Sequence, residues 1–159
     1  MQLIQQFAVL NRKAIVDELV QGMKLRYDLD FTTIHNYIDL NRMILRKGAI
    51  SALKGERILI PLNMRDGSLI CEGLGNPDWN YSAPHGAGRV MSRTEARKTL
   101  SLKTLHEMMR DVYTTSLNHG TLDESPEAYK PASELIDDIG DTVKLIHRLR
   151  PVYNFKARD

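Results

Sequence analysis

Leu3, Phe7, Leu10, Ile15, Leu19 and Met23 recur at steps of three to five residues, the spacing that lays apolar side chains along one helix face. The pattern predicts one amphipathic helix, opening at Met1 with no loop or cap before it. Residues 28–31 then read as a loop, and residues 32–39 as a strand or buried extended segment that holds His35. Two strands follow over 44–49 and 57–61, joined by a turn at Lys54-Gly55-Glu56. Residues 68–71 form a further short strand, introduced by the turn signal Arg65-Asp66-Gly67.

The pattern lapses over residues 73–89, which are rich in Gly, Pro, Asn and Asp and too long for an ordinary connection. Such a stretch reads as a functional loop. It leads into Ser92-Arg-Thr-Glu95, the sequence form of a capping box, so a helix should start directly behind it. A further helix is expected from Ser101 to about Thr115, with Leu102, Leu105, Met109 and Val112 facing inward. Residues 123–131 are turn-rich. Two more short helices are expected after them, split at Gly140, with Pro151 stopping the second and a last strand at 152–156. No internal repeat or second boundary shows, so residues 1–159 read as one domain, large enough for a core. The fold class expected is α+β, a mixed sheet with flanking helices.

Composition changes this picture little. At 42% hydrophobic and 26% charged residues, net charge +2 and pI about 8.7, the chain is ordinary for a globular protein, and its charge alone does not imply nucleic acid. One cysteine, Cys71, excludes an internal disulfide framework and suits a reducing, cytoplasmic setting. Its place in an apolar strand reads as a buried, inert thiol. No apolar run approaches a membrane span.

The chemistry concentrates in Tyr81-Ser-Ala-Pro-His-Gly-Ala-Gly-Arg89 and the Val-Met-Ser-Arg93 that follows. Gly86, Ala87 and Gly88 allow close backbone approach to a ligand, and successive N–H groups in such a loop form an anion-binding concavity. Arg89 and Arg93 add cations suited to phosphate. A histidine there, His85, can bind phosphate, exchange protons, ligate a metal or attack phosphorus. His35 by itself reads as either a structural histidine or a ligand. His106, His119 and His147 lie among polar residues, and Arg42, Arg46, Lys47, Arg148 and Arg150 read as solvated surface. No Cys-x-x-Cys or His-Glu-x-x-His spacing marks a self-contained zinc site.

Four stretches together resemble one family, the RtcB-type RNA ligases: Leu45-Arg-Lys-Gly-Ala49, Ser82 to Arg93, Asp123-Glu-Ser-Pro-Glu-Ala-Tyr-Lys130, and Leu149-Arg-Pro-Val-Tyr-Asn-Phe-Lys-Ala157. The resemblance implies GTP- and Mn²⁺-dependent joining of RNA ends, with a 3′-phosphate or 2′,3′-cyclic phosphate joined to a 5′-hydroxyl through a guanylylated histidine. His85 matches that histidine, and His35 a manganese-ligating one. Asn36 follows His35 into the nucleotide site, where Gly86, Ala87 and Gly88 approach through backbone. Pro61, Leu62, Asn63, Met64 and Ser68 fall where the family has a guanine-nucleotide loop reading Pro-Gly-Ser-Met, so Leu62 and Asn63 depart from it. Tyr129 resembles a tyrosine near the base, and Lys156 matches a lysine that contacts guanine. Family members carry further metal ligands in a long N-terminal part: an aspartate, a cysteine and two histidines. Those motifs do not occur here, and the abrupt start of the first helix fits a chain cut from a longer one: a C-terminal portion, a split gene product or a truncation, for which a complementary N-terminal chain is one candidate partner. The alternatives are a non-catalytic remnant that binds a nucleotide or a partner chain, and an unrelated phosphate-binding domain.

Overall fold

The computed structural model describes residues 2–156; Met1, where the first helix was expected to open, and Ala157 of the last family-like stretch lie outside them. Helix α1 (Gln2–Gly22) forms as the apolar spacing requires. No residue of α1 is buried, however, and Leu3, Phe7, Leu10 and Leu19 are all more than half exposed. One side-chain link to the rest is Gln5, whose Oε1 accepts the Ile38 N–H at 2.9 Å.

Strands β1 (His35–Asp39), β2 (Ile44–Ser51) and β5 (Ser82–Pro84) make an antiparallel sheet in the order β1-β2-β5. Strands β3 (Arg57–Pro61), β4 (Ser68–Gly73) and β7 (Val143–Leu149) make a second, in the order β3-β4-β7. Among the described residues, parallel pairing is confined to the two-residue strands β6 (Tyr113–Thr114) and β8 (Tyr153–Asn154). Alternation on β3 and β4 sends Ile58, Ile60, Leu69 and Cys71 into one core with Ile50, Ala83 and the helix α4 (Ala132–Asp138) residues Ala132 and Leu135. A second core gathers Met64, Leu105, Met109, Val112 and Leu122 below helix α3 (Leu102–Met108). The class is α+β, as expected.

Three local expectations need correction. The segment read as a final helix is strand β7, which pairs with β4 from Ser68↔Leu149 to Gly73↔Val143. Val143, Leu145 and Ile146 fit a ladder well, and completing the open side of β4 outweighs a weak helical preference. Helix α3 ends at Met108 rather than near Thr115, although Leu105, Met109 and Val112 are buried as expected. Residues 73–89 are not all irregular: they hold a 3-10 turn (Pro77–Trp79) and β5.

Candidate active site

The loop after β5 is held down by the strand beside it. The Ala87 N–H donates to Pro61 O at 3.2 Å. A Cβ on Gly86 would come within 3.1 Å of that same carbonyl, a tight contact that favours glycine here. Gly88 has φ +75° and accepts the Lys130 N–H at 3.1 Å. Helix α2 (Arg93–Thr99) starts where the capping pattern placed it, with Ser92 Oγ accepting the Glu95 N–H at 3.1 Å.

His85 Nδ1 lies 2.6 Å from Gly48 O. A carbonyl only accepts, so Nδ1 carries the proton and the lone pair is left on Nε2. Gly48 itself is at φ +66°, and its N–H donates to Asn36 Oδ1 at 2.7 Å. The register of β1 against β2 shifts between His35 and Tyr37, and Asn36 sits there at φ 59°. This irregularity stacks the exposed His35 ring on that of His85, centroids 5.1 Å apart and planes 15° apart.

Beside His85 lies a cavity of about 400 Å³. Its walls bring together Pro61, Leu62, Asn63, Met64 and Ser68 from one turn, Gly86, Ala87 and Gly88 from the histidine loop, and Tyr129 and Lys156 from far along the chain. Those are all the expected nucleotide contacts except Asn36, which supports Gly48 instead. Asn63 also has local work: its Oδ1 accepts the Arg65 and Asp66 N–H groups, and its Nδ2 donates to Asp66 at 2.8 Å. Leu62 is buried in the core.

Sequence reasoning missed two polar residues of this cavity. Asn154 Oδ1 is buried without a hydrogen-bond partner. Glu124 accepts from the Tyr129 hydroxyl at 2.8 Å and from Lys156 Nζ at 3.2 Å. Alternation in the last strand puts Asn154 on the side of Lys156 and could have found it; Glu124 carried no such signal.

The two arginines lie beside the cavity, in contact with acids. Arg93 Nη1 donates to Asp123 and Glu124, and Arg97 Nε to Asp123 Oδ1 at 3.3 Å. Arg89 donates to Tyr129 OH at 3.1 Å, to Met91 O and to Asp123 O, with its guanidinium 4.9 Å from the Tyr129 ring centroid. Burial pushes the Asp123 and Glu124 carboxyls up, but the hydrogen bonds they accept outweigh it and hold both below their ordinary values. Burial and the bond to Glu124 raise the Tyr129 phenol. Burial also pushes the Cys71 thiol up to about 11, so it stays protonated and inert. Arg46 corrects the surface reading: it is only 2% exposed.

The family model for tRNA-splicing ligase RtcB matches residues 1–157. The chain belongs to the RtcB family. It is 34% identical to the RNA-splicing ligase RtcB of Escherichia coli K12 over 96% of its own length and 41% of that protein. With the tRNA-splicing ligase RtcB of Aeropyrum pernix the identity is 33%, over 82% of this chain and 32% of the relative. The Archaeoglobus fulgidus tRNA-splicing ligase RtcB is 32% identical over 82% and 33%. The chain thus spans about two fifths or less of these RtcB relatives.

The cofactors that the resemblance to RtcB ligases implies fare differently against these residues. A guanine nucleotide fits the donor set: Lys156 can donate to a base oxygen, Asn154 Oδ1 and Glu124 can accept from base N–H groups, and His85 lines the same cavity. A manganese centre does not fit residues 2–156 alone. Among the described residues no three His, Cys, Asp or Glu side chains gather as a metal would require, and His35 is a single imidazole. No helix among them is long and apolar enough to cross a membrane.

Proposed function

We propose that this chain is the guanylylation-site part of a GTP-dependent RNA ligase acting in tRNA splicing or RNA repair in the cytoplasm. The observation that carries the reading is His85, with Nδ1–H bound to Gly48 O, lining a cavity that collects ten dispersed residues expected at a nucleotide.

In this reading His85 Nε2 attacks the α-phosphorus of GTP; the P–N bond forms as the bond to pyrophosphate breaks, and its electron pair leaves with pyrophosphate. The Nδ1–H on Gly48 O disperses the positive charge the ring gains. The loop N–H groups at 86–88 would stabilise the charge developing on the phosphate. His85 would then surrender GMP to an RNA 3′-phosphate, and attack by a 5′-hydroxyl would release GMP and join the ends. Lys156 and Asn154 orient the base, and Tyr129 and Glu124 fix the Lys156 ammonium. Arg89 and Arg93 would meet RNA phosphate only by exchanging contacts with Asp123 and Glu124. His35 would supply one manganese ligand, the others coming from outside residues 2–156.

A second reading, a remnant that binds nucleotide or a partner without catalysis, is favoured by one observation, the lack of a three-ligand cluster among the described residues. Ligation assays separate the two. The purified chain, given GTP, Mn²⁺ and RNA with 3′-phosphate and 5′-hydroxyl ends, should not join them alone. It should do so once the part of the E. coli relative outside the matched stretch is supplied as a second chain. Failure in both mixtures favours the remnant, and joining by the chain alone contradicts the need for a partner.

A further inference from the structure

Arg46 sits on β2, the middle strand of β1-β2-β5, and its side chain is 1% exposed. A guanidinium is always charged, and burying one is costly unless its donors are met. Here they are met from both neighbouring strands. Nη1 donates to the Tyr37 hydroxyl at 3.0 Å, two residues beyond His35 on β1. Nε donates to Ser82 Oγ at 2.8 Å, three residues before His85 on β5. Nη2 donates to Asn80 O at 3.3 Å and Tyr81 O at 3.2 Å. Asp39 Oδ2 lies 3.7 Å from Nη1.

These partners are where the backbone is under tension. Asn80 and Tyr81 are consecutive non-glycine residues at φ 49° and 52°, a strained conformation that persists only when its surroundings impose it. Tyr37 pairs with Arg46 at the first regular position beyond the bulge that carries Asn36. Two residues along β2 from Arg46 is Gly48, whose carbonyl takes the His85 Nδ1–H and whose N–H is held by Asn36. One buried cation therefore ties the strand of His35 and the strand leading to His85 to the strand that fixes the His85 tautomer.

We propose that Arg46 is a positioning residue for His85: by joining Tyr37 to Ser82 across β2 it keeps Gly48 O on Nδ1 and so leaves Nε2 to react. Its catalytic meaning rests on the proposed guanylylation of His85, but the ring geometry is measurable without GTP.

The test is ¹⁵N-resolved histidine NMR on the full chain above neutral pH. The unmodified chain should show His85 as the Nδ1–H tautomer with slow proton exchange. Arg46→Lys keeps the charge but loses the fork; Tyr37→Phe with Ser82→Ala keeps Arg46 but removes two acceptors, and guards against an Arg46 variant that fails to fold. In folded variants, shown by unchanged amide dispersion of the β3-β4-β7 sheet, His85 should become a tautomer mixture and exchange about tenfold faster or more, the scale of one lost hydrogen bond. His85 signals that superimpose on those of the unmodified chain in either folded variant overturn the proposal. Loss of the tautomer in the variants, together with no GMP capture by the unmodified chain even when supplemented with the unmatched part of the E. coli relative, would uphold Arg46 and defeat the proposed function instead.

Discussion

Asp123 and Glu124 show what a single side chain contributes here. Their carboxylates meet Arg93, Arg97 and Lys156, and both titrate below the ordinary 3.8 and 4.5. A carboxyl whose folded pKa is depressed stabilises the fold above its unfolded pKa, and that contribution is lost as pH falls through the folded one. Thermal stability should therefore fall as pH drops below about 4.5. An Asp123→Asn, Glu124→Gln variant should melt lower at neutral pH and show a shallower acid slope; parallel slopes would contradict the network. At this scale much of the candidate site's lining was legible. His85, the 86–88 backbone, Tyr129 and Lys156 surround one cavity, because loop glycines and family-like motifs declare themselves in sequence. Arg46 and Glu124 were not, because hydrogen bonds to residues far along the chain leave no local pattern.

Elements tell a different story, since periodicity cannot say what an element packs against. The apolar spacing of α1 correctly gave a helix, yet Leu3, Phe7, Leu10 and Leu19 face outward among the described residues. An exposed stripe of that kind associates in water. The chain should bind a hydrophobic dye or self-associate at micromolar concentration, and replacing Leu3, Phe7 and Leu10 with glutamine should remove that behaviour without unfolding the sheets. A dye-silent monomer would count against the exposed stripe. Strand β7 was misread because its helical spacing is as good as its alternation, and only β4 decides between them. That pairing explains Gly67: at φ +82°, a Cβ there would stand 1.9 Å from Leu149 O. Gly67→Ala should cost about 2 kcal/mol or more in denaturant unfolding, by strain and by displacing β7; a near-neutral value would mean that the β4–β7 end is loose.

For the molecule as a whole, the family match covers residues 1–157, while the chain spans 41% of the E. coli relative's length. The cavity beside His85 is well supplied with polar groups, and the described residues hold no metal cluster. That asymmetry makes covalent capture of GMP a sharper test than overall ligation. The chain, supplemented with the unmatched part of the E. coli relative, should be incubated with GTP labelled at the α-phosphate and with Mn²⁺, then digested and mapped. The account predicts an acid-labile, base-stable label on the peptide bearing His85. The label should be absent in His85→Ala, reduced in His35→Ala and unchanged in His106→Ala, His119→Ala and His147→Ala. Label that survives in His85→Ala, or that maps to Lys156, would contradict it.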